Sequence, residues 1–206
     1  MTPRPSDVGR CGPGTGEGAG DLGYTRAMST SIRAVLFAAV VTIALPASLK
    51  FDAPAGWVSK PPASSMRVAE FALPEAAGDP EDGLLVVYFF GGQGGTVEAN
   101  LERWILQMAQ PDGKPSKDVA KTSRMTSHGL AVTLVDVSGT FVAETSPGST
   151  DHFNKPGFRL RAAVVETTAG NYYVKLTGPQ RTIAKWDDSF MAFVKSLRMD
   201  APARAR

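Results

Sequence analysis

The sequence predicts an α+β domain: one antiparallel sheet with helices packed on its faces, in an α/β/α sandwich. Three observations carry this. Short strand-like runs separated by Gly and Pro dominate from residue 49 onward, two pairs of them are spaced as hairpins, and helical periodicity appears only after a central apolar run and again near the C-terminal end.

The elements follow in chain order. Residues 66–73 (MRVAEFAL) alternate as a half-buried strand, preceded by an extended stretch at Gly56, Trp57 and Val58 and by the turn-forming Pro61 and Pro62. Residues 84–90 (LLVVYFF) are continuously apolar, which suits a central strand covered on both faces. After the glycine run at 91–95, Thr96 is placed to cap a helix over residues 97–110, whose apolar positions Val97, Leu101, Trp104, Ile105 and Met108 share one face. Pro111 and Gly113 end it.

Residues 119–126 and 130–137 form a hairpin about Ser127, His128 and Gly129, and residues 158–167 and 172–177 form another about Ala169, Gly170 and Asn171. Between the hairpins, residues 143–157 are a long Pro, Gly and Ser loop, a length that is commonly functional or mobile. Gly178 and Pro179 stop the last strand and start one final helix, with Pro179 in its first turn and the stripe Ile183, Trp186, Phe190, Phe193, Val194 and Leu197 facing the sheet. Residues 199–206 are expected to be a frayed polar tail outside a domain spanning 49–198.

Upstream, residues 1–27 are rich in Gly and Pro with few large apolar side chains, and are expected to be a disordered leader. Residues 28–47 have the layout of a signal peptide: Met28, a positive Arg33, an uncharged run over 34–47 and small residues at its end. That run is shorter than the ~20 apolar residues needed to span a bilayer, so cleavage and export to the periplasm or extracellular space are expected, with membrane contact only through the segment if it stays uncleaved. No cysteine follows it, which argues against a lipoprotein, and the single Cys11 leaves the domain without a disulfide.

Twenty-two Lys and Arg against 20 Asp and Glu leave a net charge of +2, too small a field to recruit nucleic acid. Lys114, Lys117, Lys121 and Arg124 form a local basic cluster, but Asp112 and Asp118 interleave it and no aromatic residue accompanies it, so it reads as a solvated face. His128 and His152 are the only histidines and fall in a turn and a loop, where no metal site is expected. No serine stands in a G-x-S-x-G elbow, and no catalytic residue is assigned. Asp136 shares parity with Val132 and Leu134 and is expected at a strand end beside a turn at Ser138 and Gly139. No cofactor is expected.

The loop and helix start after the central strand are the candidate ligand-binding region: Gly91, Gly92, Gly94, Gly95, Thr96, Asn100 and Arg103. Backbone N–H groups and a helix dipole there can contact an anion. The pattern is neither a dinucleotide fingerprint, since Val97 stands where its last Gly belongs, nor a P-loop, since Thr96 replaces the Lys. Trp57, Trp104 and Trp186 are expected as core anchors.

With Pro54 to Trp57 at its opening, Met66 and Arg67 in a strand, Asn100 to Trp104 on the helix, Tyr172 to Val174 leading to Gly178 and Pro179, and a final helix over 190–197, the chain resembles the PsbP-like superfamily. This group includes photosystem subunits, Ran-binding Mog-type proteins and uncharacterised bacterial secreted proteins, the last resembling this chain most. The resemblance implies an α/β/α sandwich acting as a non-enzymatic binding or accessory module for an unknown protein partner or small ligand. The alternative is a small-ligand-binding or hydrolytic enzyme using residues 91–100. If export starts from Met28, N-terminal sequencing of the exported protein yields no peptide that precedes Met28; recovery of one rejects that start.

Overall fold

The computed structural model describes residues 48–200; the expected leader, the signal segment and residues 201–206 lie outside the described residues. The chain runs β1 (Leu49–Lys50), β2 (Val58–Lys60), β3 (Arg67–Leu73), β4 (Gly83–Phe89), α1 (Val97–Ile105), β5 (Met108–Ala109), β6 (Lys121–Ser127), β7 (Leu130–Phe141), β8 (Lys155–Val165), β9 (Tyr172–Pro179), α2 (Gln180–Lys185), α3 (Asp187–Ser196) and β10 (Arg198–Met199). Among these residues an eight-stranded sheet has the order β2-β3-β4-β9-β8-β7-β5, with β6 also paired to β7, and every pairing is antiparallel. The expected α+β class is therefore the observed one.

Period-two alternation divides the core into two layers. Leu85, Val87, Val174, Leu176, Ala163 and Leu134 point to one face and bury Ile183, Phe190, Phe193 and Val194 of α2 and α3. Residues of the other parity, Val135, Leu160, Ala162, Val164 and Tyr173, pack under Leu101 and Trp104 of α1. Both faces of β8 are covered over residues 162–165, which is why that stretch reads as a continuous apolar run.

Several elements differ from the sequence expectation for identifiable reasons. Helix α1 stops at Ile105 rather than 110, because Met108 and Ala109 instead pair with Phe141 and Thr140 at the end of β7. That approach needs Gly139: a Cβ there would sit 2.5 Å from the Ala109 carbonyl oxygen. The final helix is two helices broken at Trp186, whose indole N–H donates to the Pro74 carbonyl at 2.9 Å. Pro179 ends β9, opposite Phe158, and caps α2 rather than lying inside its first turn.

Met199 is not frayed but pairs with Leu49. The long loop is shorter than expected and has its own pairing, with Glu144 bridging His152 before β8 begins at Lys155. The turn of the first hairpin is His128–Gly129, both at positive φ (48° and 83°), the geometry of a type I′ turn. The basic cluster at Lys114, Lys117, Lys121 and Arg124 is exposed.

Asp136 lies within β7, not at its end, because the strand continues through Ser138 and Gly139 to Phe141. Its carboxylate accepts two bonds from Arg159 at 2.8 and 2.5 Å. Arg161, the next residue of the same parity, donates to Asp187 in the first turn of α3 at 2.6 Å and lies 4.7 Å over the Phe190 ring. This chain of charges fixes α3 against the sheet edge of the core. Removing one member strands the others, so Asp136→Ala is expected to destabilise the fold by about 2 kcal/mol; a urea midpoint that does not move would show the network to be dispensable.

Candidate functional site

Helix α1 is nine residues long and packs on β7 and β8, which leaves the neighbouring part of the same sheet face without a helix above it. The result is a cleft of about 890 Å³. Its floor is β4 and β9, with Leu84, Val86 and Tyr88 from the first, Phe90 just after it, and Tyr173, Lys175 and Thr177 from the second. It is also lined by the α1 end at Arg103, Trp104, Leu106 and Gln107, and by Phe141, Phe158 and the segment before β8.

Four basic side chains line this space, and they fall into two kinds. Arg67 is paired with Glu70 at 2.6 Å and lies 5.7 Å from the centre of the Tyr88 ring; Lys155 is paired with Glu81 at 2.5 Å. Arg103 and Lys175 have no carboxylate at salt-bridge distance among the described residues. They are held by neutral acceptors instead. Lys175 Nζ donates to Gln107 Oε1 at 2.5 Å and sits 5.3 Å from the Phe141 ring centre, while Arg103 donates to Asn100 Oδ1 at 2.5 Å.

Burial, and then the charge of Arg103, brings Lys175 from its ordinary 10.5 down to about 8. Burial also raises the Tyr88 phenol, against the opposing pull of Arg67. The hydrogen bond to Glu70 raises Arg67.

The glycine-rich region serves the α1 wall of the cleft rather than forming a pocket of its own. Gly91 and Gly92 make an exposed turn at φ 59° and 84°, and Gly94 lies flat on the Tyr173 ring, where a Cβ would be 2.3 Å from the hydroxyl. Thr96 caps α1 by accepting from the Ala99 N–H at 3.2 Å. Asn100 is buried and donates to the carbonyls of Gly94 and Thr96, both at 2.8 Å, and Tyr173 donates to the Gly95 carbonyl at 3.0 Å. Of the seven residues singled out by sequence, Arg103 alone lines the cleft; Gly94, Gly95, Thr96 and Asn100 hold the start of α1, and Gly91 and Gly92 lie in the exposed turn before it. Thr96 also borders a smaller hollow of about 490 Å³ with Glu98, Arg124, Glu166 and Asn171.

Lys175, Gln107, Tyr88 and Arg67 are the cleft residues that the sequence reading passes over. A signal for one of them existed: Lys175 interrupts the apolar strand between Val174 and Leu176. The structure does not bring His128, His152 and Asp136 together. Asp136 is on the face covered by α2 and α3, His128 is 3.4 Å from Ser127 in the β6–β7 turn, and His152 is on the cleft rim with Nδ1 3.0 Å from the Thr150 carbonyl. Among the described residues, no group of three His, Cys, Asp or Glu side chains could hold a metal ion.

No family model and no curated protein matches the chain. Solved structures do. PA94 of Pseudomonas aeruginosa, a protein of unknown function described as a candidate regulator, is 16% identical with a TM-score of 0.44, over 75% of this chain and 99% of its own. LpqN of Mycobacterium tuberculosis, involved in cell envelope biogenesis, is 10% identical with a TM-score of 0.46, over 76% of this chain and 85% of its own. Neither is described as PsbP-like, and at these values neither bears on function.

Lys175 gives the site a measurable signature. A lysine whose folded value is depressed destabilises the fold fully below about 8, and the penalty fades as the pH rises from there to its unfolded value of 10.5. Lys175→Met is therefore expected to stabilise the protein by about 2–3 kcal/mol at pH 7, and by much less at pH 10. Urea unfolding of both proteins at the two pH values checks it; a loss of stability of equal size at both would contradict the assignment.

Proposed function

We propose that this chain is an exported accessory protein that works by binding, with the α1 cleft as its binding element. One observation carries the reading: two basic side chains without carboxylate partners among the described residues stand over an apolar, aromatic floor in a space of about 890 Å³. That size and mixture are typical of small-molecule sites, which pair an apolar lining with a few placed polar groups. Export rests on the segment at residues 28–47, and the finer assignment to the PsbP-like superfamily rests on the element order and the motif positions in the sequence.

A binding role also agrees with how the polar groups of the cleft are used. Asn100 and Gln107 spend their side chains on orienting cations, and His152 contacts its own loop. The rim carboxylate Glu81 is engaged by Lys155.

The neutral dye Nile red, titrated into the full chain, should bind at one saturable site with a rise in fluorescence. Thr177→Trp fills the floor of the cleft and should abolish that site while leaving the circular dichroism spectrum unchanged. Dye binding that ignores Thr177→Trp would remove the cleft as the binding element. Turnover of a generic ester substrate that disappears in the same variant would favour an enzyme over a binding protein.

A further inference from the structure

The placement of charge in the cleft goes beyond binding in general and rests on the proposal that the cleft is the binding element. We infer that its ligand is an organic anion, with a carboxylate or phosphate monoester head between Arg103 and Lys175 and an apolar body over Tyr88 and Phe90.

Arg67 and Lys155 are neutralised by Glu70 and Glu81, whereas Arg103 and Lys175 are not neutralised by any described carboxylate. Both are nevertheless held in place by neutral side chains. Asn100 fixes Arg103 and is itself anchored at two carbonyls, and Gln107 holds Lys175, occupying one of its three N–H donors and leaving two.

Half-buried Lys175 is thus held without a counter-charge among the described residues, near the exposed Arg103, and its burial opposes folding unless something compensates it. A bound anion supplies the missing compensation. It would accept charge-assisted hydrogen bonds from both groups, the stronger one from half-buried Lys175 because Arg103 is exposed to solvent.

The rest of the cleft narrows the class. Val86 and Tyr173 are buried, and Tyr88 and Phe90 stack with ring centres 5.9 Å apart, so the floor beside the cations is apolar and flat. A bare inorganic ion leaves that floor uncovered. Beside the Lys155-paired Glu81, the rim carries Asp82 and Glu144, whose charges repel a polyanion such as nucleic acid while leaving room for a single small head.

The test is displacement of Nile red from the full chain by decanoate, decyl phosphate, decanol and inorganic phosphate, each below its micellisation concentration. Decanoate or decyl phosphate should displace the dye at concentrations at least about tenfold lower than decanol, the size expected for a charge-assisted contact in a partly buried site. Inorganic phosphate should neither displace the dye nor bind on its own in calorimetry. Whichever of the two anionic probes binds more tightly identifies the head group.

Arg103→Gln and Lys175→Gln should each lower the affinity for the anions and spare decanol, and Lys175→Arg should restore it. Circular dichroism confirms that each variant is folded. Decanol displacing as well as decanoate overturns the anion inference and leaves the cleft reading intact. Inorganic phosphate binding alone overturns the requirement for an apolar body. Failure of every amphiphile, together with dye binding insensitive to Thr177→Trp, overturns the cleft reading itself.

Discussion

Tyr173 is buried near the start of β9, and its ring and its hydroxyl have different needs. The ring packs edge-on to Trp104 of α1 and against Phe90 just beyond β4, while the hydroxyl, cut off from bulk water, donates to the Gly95 carbonyl. That single bond places the glycine-rich loop, and the loop sets where α1 begins. Asn100 then reaches back to the same loop and forward to Arg103. The position of the cleft wall, and of Arg103 on it, therefore depends on a tyrosine in a neighbouring strand.

The two faces of the sheet are closed to different degrees. On one, α2 and α3 together with Phe51 and Trp57 cover β3, β4 and β9, and the aromatic rings of Phe51, Trp57, Phe71 and Phe193 meet in a continuous cluster. On the other, a single nine-residue helix must serve the whole width, and it lies over β7, β8 and the Tyr173 end of β9, leaving β4 and the rest of β9 uncovered. Such a helix is about 14 Å long, less than the width of five adjacent strands at about 4.8 Å spacing. Incomplete coverage is thus a result of length, and the cleft is where the helix runs out.

The elements carried by periodicity were legible in the sequence. Residues 66–73, 84–90 and the two hairpins alternate or run apolar in the way a two-faced sheet demands, and strands form at all of them. What escaped depended on contacts distant in sequence. The break at Trp186 follows from a bond to Pro74, the early end of α1 from the strand end at Phe141, and the depth of Asp136 in β7 from two arginines on β8.

The candidate site was half legible for the same reason. A glycine run between strand and helix is a local pattern and draws attention to Gly91 through Arg103, whereas Lys175 and Gln107 are 68 residues apart and meet only because β9 lies beneath the end of α1.

The pairing of β1 with β10 sets how the domain meets mechanical load. Leu49 lies opposite Met199, Lys50 opposite Arg198, and the Asp200 N–H donates to the Ser48 carbonyl at 2.9 Å, so both ends of the described chain leave from one spot. A force drawing those ends apart peels the short antiparallel ribbon one rung at a time instead of shearing all of its hydrogen bonds together. The ribbon gives way first and adds slack, and the eight-stranded sheet with its cleft takes up tension only after that fuse has opened.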